Sequence, residues 1–327
     1  TKRSSKKEIS GSFLSVVGTN QTQDDLNYNG SSFTNNVSVN GTVNRFTYLA
    51  SFGNRFVDGL SAAKSDTPEK DPFSRYNTNL KLGYEVSDNF EITAYASYDK
   101  FKTDIDGSPP PTYAFVDTEY EYVSQQKRVG VSPKLTYENG SFQVNAAYTK
   151  IDRETISDFG SVNEADSYVI DAFNKYVFDD TFYTIVGLNY GDYNSLFVEE
   201  ESFTNTDPYL NVVYVSDFGL NINAGGRLNN HSEYGSYFVY SLNPSYRIKS
   251  NYGSYKIFGS YATSFIAPNL SQLFGFFGAN PDLRPEENKT LEAGFEFNDG
   301  KGFRASTVFF NRKEENTIIY TTAYENA

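Results

Sequence analysis

Residues 261–297 read YATSFIAPNLSQLFGFFGANPDLRPEENKTLEAGFEF, and the two halves of the stretch follow different rules. In the second half Leu291, Ala293, Phe295 and Phe297 interleave with Glu292, Gly294 and Glu296, which puts successive side chains on an apolar and a polar face. A period of two is the pattern of a half-buried strand. In the first half Pro268, Pro281 and Pro285 punctuate an aromatic, glycine-bearing run that reads as a loop. The unit is a long loop feeding a cleanly alternating strand, and it recurs along the chain.

Phe90, Ile92, Ala94, Ala96 and Tyr98 interleave with Glu91, Thr93, Tyr95, Ser97 and Asp99 in the same way. So do Leu220, Ile222, Ala224, Gly226 and Leu228 with Asn221, Asn223, Gly225, Arg227 and Asn229. About fifteen such runs are predicted, from Ile9–Thr19 to Phe303–Arg312, and a sixteenth begins around Asn316–Tyr324. Helix signals are nearly absent. Short turns are expected at Asn40-Gly41, Ser87–Asn89, Glu138–Gly140, Asp179-Asp180, Ser216–Gly219, Lys249–Ser254 and Asn298–Gly302. Longer loops fall between them, at 21–31, 58–72, 104–118, 153–163, 191–206, 229–235 and 264–287.

This alternation of short and long connections decides the fold class. A soluble β-sandwich mixes its loop lengths, whereas an outer-membrane barrel carries short turns at one rim and long loops at the other. Aromatic residues make up 17% of the chain, with 27 Tyr and 28 Phe, and aromatic girdles at the two interfaces account for them. No apolar run approaches the ~20 residues of a spanning helix, in keeping with a mean hydropathy of -0.54. The expectation is an all-β chain, an antiparallel transmembrane β-barrel over residues 9–327, with residues 1–8 as a linker entering it. Single-chain bacterial barrels close on an even strand number, so about fifteen or sixteen strands read as part of a larger barrel. A start at Thr1 without Met reads as a mature, processed or partial chain.

A net charge of -13 argues against a nucleic-acid partner, since phosphate binding needs clustered Lys and Arg. The absence of Cys removes disulfide frameworks and thiolate metal sites. No nucleophile-base pair, phosphate-binding glycine loop or paired-carboxylate site is present, so no enzyme is read.

Phe265, Ala267, Pro268, Asn269, Leu270, Gln272, Leu273, Phe274 and Gly275, followed by Asn280, Pro281, Leu283, Pro285 and Glu286, carry a resemblance. The aromatic-x-AP-x-L-x-QL-aromatic-G run and the NP-[ND]-L-x-PE run resemble the TonB-dependent outer-membrane receptors, in particular the cobalamin and catecholate-siderophore receptors. Gly59–Ala63, Asp71–Phe73 and Asn79–Tyr84 resemble the early barrel of that family, and Thr1–Arg3 the end of the segment closing its plug. The resemblance implies a plugged 22-strand barrel in the bacterial outer membrane, surrounded by its lipids. It implies TonB-dependent uptake of a scarce metal chelate, a cobalamin-like corrinoid or a ferric siderophore, with TonB acting through a plug outside this chain. The alternative is a structural barrel partnering a surface lipoprotein lid or secretion component without transport. A plain diffusion porin is a third reading.

Ligand contacts are expected from Asn269, Gln272, Phe274, Phe276, Phe277, Asn280, Asp282 and Arg284 in the signature loop, where rings offer contact area at small entropic cost. Packing of the loop onto its neighbours is the competing role for the same rings. Glu91, Thr93, Asn221, Asn223, Arg227, Glu292 and Glu296 would line the pore or hold the plug. Haem is disfavoured because residues 269–279 hold no His, and His231 is expected to be a solvated loop residue. No cofactor is required. Carboxylates cluster at Asp58, Asp66, Glu69 and Asp71, and again at Asp104, Asp106 and Asp117. Among them Asp58, Asp66, Asp71, Asp104 and Asp106 are candidate ligands for Ca²⁺, a hard ion that takes 6 to 8 oxygens.

Overall fold

The computed structural model describes residues 7–20, 30–63 and 70–327. Its elements are β1 (Ser10–Thr19), β2 (Ser31–Val43), β3 (Phe46–Val57), β4 (Phe73–Ser87), β5 (Phe90–Gly107), β6 (Val116–Tyr137), β7 (Gly140–Ile156), β8 (Ser161–Val177) and β9 (Phe182–Leu196). They continue as β10 (Glu200–Val215), β11 (Leu220–His231), β12 (Gly235–Ser250), β13 (Gly253–Ile266), α1 (Leu270–Phe274), β14 (Glu286–Asn298), β15 (Arg304–Glu315), β16 (Ile318–Tyr320) and β17 (Tyr324–Asn326). Strands β1 to β15 follow sequence order in one antiparallel sheet, and β16 pairs only with β17. The described strands β1 to β15 thus share one continuous sheet, whereas a sandwich divides its strands between two. No described helix is long and apolar enough to cross a membrane.

The chain divides into two compact units. One comprises Thr1–Pro133, Ala146–Tyr168 and Asn194–Glu200; the other comprises Lys134–Asn145, Val169–Tyr193 and Glu201–Ala327.

In the second unit the register shows how the alternation is used. Leu242 pairs with Tyr261 and Tyr261 with Leu291, while Tyr246 pairs with Ile257 and Ile257 with Phe295. These residues form one apolar face, yet Leu242, Tyr246, Ile257, Leu291 and Phe295 are all exposed. Aligned apolar rows of this kind are unfavourable in water and favourable against lipid. The opposite face is knit by polar cross-strand contacts. Ser260 Oγ donates to Asn243 Oδ1 at 2.7 Å, Asn211 Nδ2 donates to Asn223 Oδ1 at 2.9 Å, and Arg304 pairs with Glu296. Aromatic rings also lie across bare glycines of neighbouring strands. A β-carbon on Gly294 would strike the ring of Phe258, and one on Gly187 the ring of Tyr209.

In the first unit the expected Asn40-Gly41 turn is instead interior to β2, and the chain reverses at Asn44, whose φ is 52°. Asn tolerates that left-handed conformation. Gly41 has a different duty, because the incoming segment crosses it. Tyr48 Oη donates to the carbonyl of Glu8 at 2.9 Å and Thr42 N to that of Lys7 at 2.9 Å. A side chain at Gly41 would sit 2.7 Å from Tyr48 Oη.

Several predicted long loops are largely strand. Of residues 191–206 only 197–199 lie outside β9 and β10, and of 153–163 only 157–160 lie outside β7 and β8. These strand ends carry polar groups on both faces, so they lack the alternation by which a strand is recognised in sequence. Ion pairs stand in for it: Lys150 Nζ lies 2.9 Å from Glu164 Oε2, and Lys102 pairs with Glu121. The run expected as a sixteenth barrel strand folds instead into the β16–β17 hairpin, with Ile318 opposite Asn326.

Candidate functional site

The signature loop between β13 and β14 is anchored by its apolar residues. Pro268 is fully buried and Leu270, Leu273 and Leu283 nearly so. Between them α1 makes a single turn, which a search for helical periodicity does not find. The available signal is Asn269 followed three residues later by Gln272, a capping box. Asn269 Oδ1 accepts from Gln272 N at 3.0 Å and Gln272 Oε1 accepts from Asn269 N at 2.9 Å. The two side chains close the first turn reciprocally, and Gln272 N also donates to the Asn269 carbonyl at 3.0 Å.

Asn280 is likewise engaged inside the protein. Its Oδ1 accepts from Asp282 N at 3.0 Å, and its Nδ2 donates to the carbonyl of Tyr324 at 2.9 Å. Of the eight expected ligand residues, Asn269, Gln272 and Asn280 thus shape the loop. Phe274, Phe276 and Phe277 are 37%, 47% and 61% exposed, and Asp282 and Arg284 are exposed as well. The loop is a fixed frame that presents rings outward. Tyr234, in the β11–β12 turn, donates its hydroxyl to Leu283 O at 3.0 Å and ties a second connection to the frame.

In the first unit Asp71, Asp106 and Asp117 bring one carboxylate oxygen each within 4.8 Å of one another. Asp106 is held in place by its neighbours. Its Oδ2 accepts from Ala63 N at 2.6 Å and Ser61 Oγ at 3.2 Å, and its Oδ1 from Thr118 N at 3.4 Å. Asp71 Oδ1 is buried with no hydrogen-bond partner. Burial, reinforced by the negative charges of Asp106, Asp117 and Asp104, pushes its carboxyl up to about 6. Three converging carboxylates suit a hard cation.

The expected acidic set is only partly gathered. Asp58 accepts from Ser31 N at 2.8 Å and pairs with Lys70 at 3.0 Å, contacts that hold its carboxyl below the usual range. Asp104 lies outside the trio, and Asp66 and Glu69 lie outside the described residues. Asp117 enters the trio although sequence proximity did not select it as a ligand. The start of β6 beside the end of β5 brings it in.

His231 is not the solvated loop residue expected of it. It is 5% exposed, stacked on Phe203 at 4.6 Å and tilted against Tyr234 at 5.1 Å. Its Nδ1 accepts from Glu233 N at 3.1 Å. Extension of β10 back to Glu200 places Asn205 opposite His231 and carries Phe203 onto the imidazole. A ring enclosed in this way is not presented to haem. A further cavity of about 200 Å³ in the first unit is lined by Lys150, Glu164, Asp166, Asn194, Ser195 and Glu200. Its one lysine is already paired with Glu164 and with Asp152 at 3.5 Å, so the cavity keeps an acidic balance.

A single antiparallel sheet in sequence order, with an exposed apolar face and a polar one, defines the class as a membrane β-barrel protein. The model of the TonB dependent receptor-like, beta-barrel family matches residues 12–327, and the chain belongs to that family. It is a family of receptors and transporters and not an enzyme class. Over 247 residues the chain is 25% identical to the vitamin B12 transporter BtuB of Photobacterium profundum, covering 72% of this chain and 38% of that protein. In structure it is similar to the siderophore receptor PirA from Pseudomonas aeruginosa, with a TM-score of 0.79 at 17% identity, over 100% of this chain and 60% of that one. It is also similar to a mutant of the ferric enterobactin receptor PfeA from the same organism in complex with enterobactin, with a TM-score of 0.82 at 15% identity, over 100% of this chain and 59% of that one. The chain spans less than two thirds of the length of each of these relatives.

Proposed function

We propose that the protein is a receptor of the bacterial outer membrane that captures a scarce metal-chelate nutrient and passes it inward by TonB-dependent active transport. A cobalamin-like corrinoid is the preferred cargo and a ferric siderophore the alternative. The observation that carries this reading is the signature loop. Asn269, Gln272 and Asn280 are bonded within the protein while Phe274, Phe276 and Phe277 are exposed, a geometry suited to a large ligand with flat apolar surfaces. Charge supports the order of the two cargoes. The chain carries a net charge of -13, which disfavours a polyanionic chelate.

In this reading the exposed apolar face meets outer-membrane lipid, and TonB acts through a plug of the full-length receptor. Asp71, Asp106 and Asp117 hold Ca²⁺, which ties the residues just before β4 to the β5–β6 connection. The test is equilibrium binding of cyanocobalamin and of ferric enterobactin to the full-length receptor in detergent, paired with uptake in cells with and without TonB. The expected result is corrinoid binding that persists without TonB and uptake that does not. A receptor that binds neither probe overturns the reading.

A further inference from the structure

The β16–β17 hairpin lies about forty residues beyond the signature loop in sequence and is bonded to it at four points and to the first residue of β14 at a fifth. Tyr324 N donates to Gly278 O at 2.7 Å, and Asn280 Nδ2 donates to Tyr324 O at 2.9 Å. Arg284 N donates to Asn326 Oδ1 at 2.8 Å, Asn326 Nδ2 returns to Arg284 O at 2.9 Å, and Ile318 N donates to Glu286 Oε1 at 2.6 Å. Gly278 has a φ of +65°, and a β-carbon there would meet the Tyr320 ring at 2.6 Å, so the ring lies directly on the glycine beside Phe277. Tyr320 packs edge-on to Tyr324 at 4.9 Å and stays 55% exposed.

We propose that the signature loop is a socket that seats this hairpin, with Asn280 as its positioning residue. The seated hairpin sets Tyr320 beside Phe276 and Phe277 in one aromatic surface that contacts the cargo. The physical argument is one of pre-organisation. A three-residue strand pair is not stable by itself in water, so it holds one geometry only where outside groups satisfy its backbone. Here those groups come from the loop that carries the other rings. Tyr320 is then a specificity-determining residue, and changes in the hairpin alter cargo choice without touching the motif.

The inference rests on the proposed uptake function for its cargo but not for the socket. Two measurements on the full-length receptor separate them. Amide exchange reads the socket: Asn280→Ala is expected to speed exchange at Ile318 and Tyr324 while leaving β13 and β14 unchanged. Unaltered exchange at both amides overturns the socket. Cyanocobalamin binding reads the surface: Tyr320→Ala is expected to weaken it by about tenfold, and Tyr320→Phe by less than about twofold, as loss of one stacking ring implies. The double variant Asn280→Ala/Tyr320→Ala is expected to lose less than the product of the single effects, because both act through one ring. Wild-type binding that Tyr320→Ala leaves intact overturns the surface alone. A wild type that binds neither cyanocobalamin nor ferric enterobactin overturns the proposed function and, with it, the cargo-contact role, while exchange still decides the socket.

Discussion

Acidification from pH 7.5 to 5 should weaken Ca²⁺ binding at Asp71, Asp106 and Asp117 about tenfold. In the metal-free protein the Asp71 carboxyl is raised from 3.8 to about 6, first by burial and then by the charges of Asp106, Asp117 and Asp104. A carboxyl raised on folding holds its proton more tightly in the native state than in the unfolded one. The native state thus binds more protons between about pH 4 and 6, and stability falls as pH rises through that window. At 1.36 kcal/mol per unit, the penalty above pH 6 is at most about 3 kcal/mol, before solvent screening of a group that is not fully buried reduces it. A divalent cation reverses the sign by supplying the missing positive charge, and it binds only the deprotonated form. Its apparent affinity should therefore fall about tenfold for each pH step of one below 6. Calorimetric titration of the full-length receptor with Ca²⁺ at pH 5, 6 and 7.5, together with thermal unfolding at each pH, measures both effects. Asp106→Asn keeps an oxygen facing Ala63 N while removing one charge, so it should abolish Ca²⁺ binding and flatten the metal-free pH dependence. Ca²⁺ affinity that is constant from pH 5 to 7, or no Ca²⁺-dependent rise in unfolding temperature at pH 7.5, would refute this reasoning.

Other expectations follow from single contacts. Asn269→Ala removes the N-cap of α1 and should cost about 1 kcal/mol locally, seen as faster amide exchange at 272–273 with the barrel strands unchanged. Phe276→Ala/Phe277→Ala removes two exposed rings and should weaken cyanocobalamin binding by tenfold or more, with normal amounts of receptor in the membrane. Gly294→Val drives a branched side chain into the Phe258 ring, so it should lower the yield of folded barrel, read as loss of heat-modifiable migration in mild detergent. The double variant Gly294→Val/Phe258→Ala should recover that yield.

The outcomes above depend on features that differ in how visible they are along the chain. Alternation in Leu291–Phe297 and in Phe90–Asp99 is visible because a strand's faces are set by residues two apart, and every such pair is local. The short turns are visible for the same reason, and the signature loop is a contiguous string of residue types. Local patterns of this kind determined a β-chain with one apolar face, its fifteen sheet strands and its family. They also gave the loop from which Phe274, Phe276 and Phe277 emerge.

What the tertiary structure decided are the partnerships between distant segments. Gly41 looked like a turn residue, and only the crossing of Glu8 shows that its bareness serves a close approach. Asp58 and Asp71 are equivalent in sequence, but Lys70 and Ser31 take the first while Asp106 and Asp117 surround the second. His231 is enclosed because β10 starts early enough to bring Phe203 against it. Asn280 reads as a ligand contact until the main-chain carbonyl of Tyr324, far along the chain, is seen to accept its hydrogen bond. A side chain's chemistry is written in its type, but its task depends on which donors, acceptors and charges the fold brings within a few ångströms, and sequence neighbours do not reveal that distance.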